Sequence, residues 1–134
     1  MIYQEVTGKI IGCAMEVHRQ LGRGFQEYVY QRALEIELKN AGLQFEREAE
    51  IKIFYKGDYI ALRRVDFLVD KSITVELKAK TELLNEHLAQ AINYLESSGY
   101  PVGLLINFGA PSLQFKRLSN KSLPNIPTNQ NESR

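Results

Sequence analysis

The stretch RRVDFLVDKSITVELKAK, Arg63 to Lys80, decides the fold. Val65, Phe67 and Val69 alternate with Asp66 and Leu68, and Ile73, Val75 and Leu77 alternate with Thr74, Glu76 and Lys78. Period-two alternation puts each apolar set on one strand face. The two apolar faces bury together only if they lie on the same side. A loop of three residues, Asp70 to Ser72, pairs Val69 with Ile73, Phe67 with Val75 and Val65 with Leu77, so every apolar pair matches. A loop of two would set Phe67 against Thr74. The matching register places Asp66 opposite Glu76, with Cβ atoms about 4.5–5.5 Å apart. Like charges so placed are destabilising, and more so where water is excluded. A hard divalent cation, which takes oxygen ligands, would turn that repulsion into coordination. Lys78, on the same face, is the other offset. The plainer alternative is a solvated outer face with a local ion pair, as antiparallel sheets usually have.

Outward from the hairpin, the pattern changes period. Ile10, Ala14, Val17 and Leu21 recur at helical spacing, predicting a helix over Thr7 to Leu21, which the GRG at Gly22 to Gly24 ends. A second helix is expected from about Gln26 to Ala41, with Gly42 as its stop. One of its stripes is Val29, Ala33 and Ile36; Glu27, Tyr30 and Leu34 lie on the neighbouring one. Phe45 to Tyr55 and Tyr59 to Val69 read as strands around a turn at YKGDY. Glu82 to Ser98 reads as a helix with Leu84, Leu88, Ala91 and Leu95 on one face. Val102 to Phe108 is an apolar run suited to a buried strand, and Gln114 to Leu118 to an edge strand. The order predicts an α/β domain, a mixed sheet flanked by helices, over residues 1–118. The connection from Lys78 to Val102 is long enough for a parallel crossover. Residues 119–134, polar and carrying Pro124 and Pro127, read as a disordered tail.

The 134 residues suit one domain, and 44% hydrophobic with 25% charged residues is ordinary for a soluble chain. A net charge of +1 gives no global field for a polyanion. A single cysteine, Cys13, forms no internal disulfide, so a reducing cytoplasm is expected, with Cys13 as a small core residue. The opening MIYQEVTGK has acid and polar residues where an apolar leader core would begin, and no membrane span is expected.

The wider pattern resembles a known family. Asp66 followed by Glu76-Leu77-Lys78 is similar to the D…ExK signature of the PD-(D/E)XK nuclease superfamily. LGRGFQEYVYQRAL carries Gly24, Glu27 and Tyr30 at G-x-x-E-x-x-Y spacing. YKG (Tyr55 to Gly57), VELKA (Val75 to Ala79), QAINYL (Gln90 to Leu95) and GLLINFG (Gly103 to Gly109) follow in order. Together they resemble the GxxExxY family within that superfamily, from about Val6 to Leu118. Arg23 departs from it, standing where members commonly carry proline.

The resemblance implies a restriction-endonuclease-like core and Mg²⁺-dependent phosphodiester hydrolysis, with Mn²⁺ as a substitute. Asp66, Glu76 and the Leu77 carbonyl would hold the metal, and Glu27 would add a ligand. Lys78 would orient water or stabilise charge on the phosphate. Gln90 resembles the glutamine that related nucleases carry in the helix after ExK. Tyr30, His18 and Tyr94 are candidates for a supporting shell, each also readable as packing. The partner implied is nucleic acid, DNA or RNA, with specificity from a homodimer or a further partner. A non-catalytic binding module keeping the fold, and a phosphoesterase acting on small nucleotides, are the competing readings.

Overall fold

The computed structural model describes residues 3–123. Helices α1 (Tyr3–Leu21) and α2 (Glu27–Asn40) precede strands β1 (Phe45–Tyr55), β2 (Asp58–Val69) and β3 (Ile73–Lys78). Helix α3 (Asn85–Ser98), β4 (Val102–Asn107) and β5 (Gln114–Ser119) complete the fold. The sheet has five strands in the order β1-β2-β3-β4-β5. All neighbours are antiparallel except β3 and β4, which pair in parallel from Ile73↔Val102 to Lys78↔Asn107. Helix α3 is the crossover between them, as expected for a parallel step. This is the α/β fold with a mixed sheet and flanking helices that the sequence predicts.

The two sheet faces bury different sets. Phe67, Val69, Ile73, Val75, Leu77, Leu104 and Ile106 pack with Ile10, Ala14 and Val17 of α1 and Tyr30, Leu34 and Leu38 of α2. Ala91 and Leu95 of α3 cover Leu105 and Leu118 on the other face. Strand β4 is covered on both sides and buried throughout, which is why its sequence runs apolar without alternation. A Cβ at Gly103 would come within 2.9 Å of Thr74 Oγ1 and 3.4 Å of Leu95, so its absence lets α3 lie close on the sheet.

The hairpin loop is as expected: Val69↔Ile73, Leu68↔Thr74 and Phe67↔Val75 pair across Asp70 to Ser72. Elsewhere the structure corrects the sequence reading. Helix α1 starts at Tyr3, a turn before Thr7. In α2 the buried stripe is Tyr30, Leu34 and Leu38 with Gln31, while Ile36 is exposed. Helix α3 starts at Asn85 rather than Glu82, and Leu84 caps it, exposed, instead of joining its apolar face. Cys13 is half-buried, donating weakly to the Glu37 carbonyl at 3.5 Å, and burial raises its thiol pKa.

The expected boundary at residue 118 falls inside β5, and the fold continues beyond it. Asn120 is 1% exposed. Its Nδ2 donates to the carbonyls of Leu95 and Tyr100 at 3.0 and 2.9 Å, and its Oδ1 accepts from the Ser122 amide at 3.0 Å. A buried amide with both ends used is a structural tie. The rest of the expected tail, from Pro124 on, lies outside the described residues.

Asn120→Ala removes these bonds at the buried end of α3. It should lower stability by about 1–3 kcal/mol, read as a lower urea midpoint at unchanged slope. A midpoint equal to the parent's would show that the fold ends before Asn120.

Candidate active site

The long β1–β2 ribbon exchanges its faces halfway along. Phe45 and Phe67 pack in the cluster under α1 and α2, with ring centroids 5.6 Å apart. Ala49, Ile51, Ile53 and Val65 pack instead with Tyr94 of α3. These are alternate positions that a regular strand would keep on one face. The exchange falls between the pairs Arg47↔Phe67 and Ala49↔Val65, where Glu48 and Asp66 are left out of the register. Glu48 has a φ of 55°, the local distortion that allows the turn of face.

Asp66 sits at this crossing. Its Oδ2 accepts the Leu77 amide at 2.8 Å, and its Oδ1 accepts Gln31 Nε2 at 2.8 Å. The Leu77 amide is therefore spent on a side chain, and the β2–β3 ladder stops at Phe67↔Val75. The expected pairing of Val65 with Leu77, and the square opposition of Asp66 and Glu76, do not occur. They assumed a regular strand through Val65, and the exchange of faces breaks it. Gln31 is buried and held in turn by Arg47 Nη1, which donates to its Oε1 at 3.2 Å. Arg47 also contacts Glu35 of α2 at 3.4 Å.

Glu76 turns toward α3. Its Oε1 meets Arg63 Nη1, and the Arg63 guanidinium lies 4.0 Å over the Tyr94 ring. These side chains are 15% and 21% exposed for Glu76 and Arg63. The counter-cation of Glu76 is thus Arg63, not Lys78. Lys78 is half-buried, and its ammonium has no ion pair or hydrogen bond among the described residues.

The Asp66 carboxyl is raised above the ordinary aspartate range. Burial is the main cause; the charges of Glu76 and Glu27 push the same way, and the bonds from Leu77 and Gln31 pull against them. Asp66, Glu76 and Glu27 therefore share one electrostatic environment. Glu27 is exposed at the start of α2, one helical turn before Gln31. Among the described residues, no three His, Cys, Asp or Glu side chains are gathered closely enough to hold a metal ion. The donor set is nonetheless the oxygen-rich, mutually repelling kind that suits a hard cation.

The remaining candidates separate. Gln90 is exposed and lines a groove of about 470 Å³ with Glu86, Asn93, Tyr94 and Ile53. It shares that groove with Tyr94, whose ring underlies Arg63. Tyr30 is fully buried: its ring stacks on Phe108 at 4.6 Å, and its hydroxyl donates to the Gly22 carbonyl at 2.7 Å and accepts the Phe25 amide at 3.3 Å. It thereby pins the loop from which Glu27 and α2 start. His18 Nε2 donates to the Ala110 carbonyl at 3.0 Å and ties the end of α1 to the loop after β4.

Sequence reading missed Gln31, Arg63 as a partner of Glu76, and Asn107. Asn107 is fully buried; its Oδ1 accepts the Lys80 amide at 2.8 Å and its Nδ2 donates to the Lys80 carbonyl at 2.9 Å and to Gln114 at 2.9 Å. A Cβ at Gly109 would overlap the backbone of Ala79 and Lys80. The segment leaving Lys78 is clamped rather than loose. The available signals were a polar residue ending an apolar strand run (Asn107) and a glutamine four residues after Glu27 (Gln31).

Comparison with known proteins agrees with this fold. Residues 4–118 match the family described as the PD-(D/E)XK nuclease superfamily, and the chain belongs to it. Among solved structures, the one titled "Crystal structure of SSO0001" is similar, with a TM-score of 0.55 at 23% identity, covering 69% of this chain and 48% of that one. At that identity the likeness concerns the fold alone, and this chain spans less than half the length of that structure. None of the curated proteins matches this chain. Among the described residues, no helix is long and apolar enough to cross a membrane.

The Asp66 shift carries a pH signature. A raised carboxyl keeps its proton in the folded state where the unfolded chain releases it, so stability falls as pH rises. The loss begins in the ordinary aspartate range and is complete above the folded value. In chelator, Asp66→Asn should abolish this slope, whatever constant offset the lost hydrogen bond adds. Parent and variant melting temperatures that run parallel across the window would show that Asp66 is solvated.

Proposed function

We propose that this chain is a divalent-metal-dependent nuclease of the GxxExxY group, hydrolysing phosphodiester bonds of nucleic acid. The observation that carries the reading is Asp66. A half-buried carboxylate is held by two donors at a break in the sheet, under the charges of Glu76 and Glu27, with the Lys78 ammonium unpaired. A fold that needed only an acceptor for the Leu77 amide could take it from a neutral side chain, without the repulsion of Glu76 and Glu27.

Asp66 and Glu76 would hold the cation, Mg²⁺ or Mn²⁺, with the Leu77 carbonyl and Glu27 as further oxygen donors. Such an ion polarises a scissile phosphate and lowers the pKa of a bound water. The chain's own residues supply the rest. Gln31 keeps the Asp66 carboxylate from swinging, with its own amide fixed by Arg47. Lys78 offers a free ammonium to the charge that develops on the phosphate. Gln90 and Asn93, on the groove wall, would contact the nucleic-acid backbone.

The second reading, a non-catalytic binding module, draws on one observation: Arg63 already gives Glu76 a structural partner. Metal-dependent stabilisation separates the two. If the carboxylates take a divalent ion, the parent should gain about 2.7 kcal/mol when free metal is a hundred times its dissociation constant. Asp66→Asn should abolish both that gain and any cleavage of DNA or RNA substrates. Lys78→Ala should lose cleavage while keeping the gain. Melting curves with Mg²⁺, Mn²⁺ and chelator, beside a cleavage screen over single- and double-stranded DNA and RNA, read both. A parent whose melting ignores both metals at millimolar concentration would favour the non-catalytic module. Sedimentation of the parent tests for the homodimer.

A further inference from the structure

The contact between Arg63 and Glu76 has the form of a place-holder. Arg63 enters from β2, where its backbone pairs with Ile51. Its guanidinium is stacked on Tyr94, and Nη1 reaches Glu76. A strong arginine–carboxylate pair uses two parallel, aligned N–H bonds. Here Nη1 is buried and in charge contact with Glu76 but makes no aligned hydrogen bond. Stacking and net charge hold this pair, and directed bonding adds little.

Two forces therefore act on Glu76. Alone, its charge would add to that of Glu27 on the half-buried Asp66. With Arg63 beside it, part of that repulsion is neutralised and the metal-free protein keeps Glu76 folded against α3. A divalent ion bound between Asp66 and Glu76 carries twice the charge of a guanidinium and has full use of oxygen ligands. Arg63 Nη1 already occupies Glu76 Oε1, and a divalent ion on the same carboxylate would meet the like charge of the guanidinium, so each cation weakens the other's hold.

Resting on the metal reading above, we propose that Arg63 is a positioning residue that competes with the divalent ion for Glu76. It sets the metal concentration at which the site loads. Tyr94 makes this work by giving the guanidinium a flat platform from which it faces Glu76. A purely structural ion pair makes the opposite prediction. Removing Arg63 would then free Glu76 from its only fixed orientation and weaken metal binding.

Calorimetric titration of the chelator-treated protein with Mn²⁺ at neutral pH tests this, using parent, Arg63→Gln, Arg63→Lys and Asp66→Asn. Arg63→Gln should bind Mn²⁺ about tenfold more tightly than the parent, or about 1.4 kcal/mol. Arg63→Lys, which keeps the charge without the planar stack, should fall between them. A parent without detectable binding beside an Arg63→Gln that binds supports the competition equally. Equal or weaker binding by Arg63→Gln, with parent binding that Asp66→Asn abolishes, would overturn the competition and leave the metal reading standing. Binding by none of the proteins would overturn both. Should Arg63→Gln fail to fold by its melting curve, Arg63→Lys decides alone: tighter than parent supports the proposal, equal or weaker overturns it.

Discussion

Everything near the candidate site follows from one hydrogen bond, the Leu77 amide donated to the Asp66 carboxylate at 2.8 Å. A strand amide bonded to a side chain is unavailable to its neighbour strand, so the β2–β3 ladder ends there. A buried backbone donor left without a partner would cost about 1–3 kcal/mol. The carboxylate removes that cost, and at the same point the β1–β2 ribbon passes from the α1–α2 face to the α3 face. Asp66 is thus both the seam that lets two strands part and a half-buried carboxyl standing in the gap. A site of this kind needs a break in a sheet, and the break needs an acceptor strong enough to satisfy it.

Around that seam, buried polar side chains do the fastening. Gln31 links Asp66 to Arg47 and, through it, α2 to β1. Asn107 and Gln114 hold the segment from Lys80 to Leu83, fixing the chain just beyond Lys78. Tyr30 holds the loop before Glu27. Each is a neutral group with several partners, which makes it a cheaper means of fixing geometry than a buried ion pair. Apart from the Arg47 pairs with Glu35 and Glu48, the charges gathered at the seam are Asp66, Glu76, Lys78 and Arg63. This division suits the proposed function: charges left to interact with what arrives, on supports that are mostly neutral amides and hydroxyls.

The charges are also unevenly satisfied. Asp66 has two donors, Glu76 has an unaligned guanidinium, and Lys78 has no partner among the described residues. Structural networks tend toward full pairing. The chain belongs to the PD-(D/E)XK nuclease superfamily, and on the nuclease proposal this incomplete pairing leaves charges for a phosphodiester; the non-catalytic reading must explain why Lys78 has no partner among the described residues.

Much of the fold was legible in residue order. Alternation determined the hairpin loop, because slipping it by one residue would move every apolar side chain to the wrong face. Helical spacing located α1, α2 and α3, and an unbroken apolar run marked β4 as covered on both sides. The candidates Asp66, Glu76 and Lys78 came from the same alternation, as charges out of place. Periodicity could not reveal where alternation itself fails. The exchange of faces at Glu48 and Asp66 is a long-range event: it depends on Gln31 arriving from α2 and Tyr94 from α3, far away in sequence. For the same reason Asn107 and Asn120 read as ordinary polar residues. A side chain's hydrogen-bond partners are fixed by which backbone groups the packed helices and strands leave unpaired, and only the tertiary structure decides that.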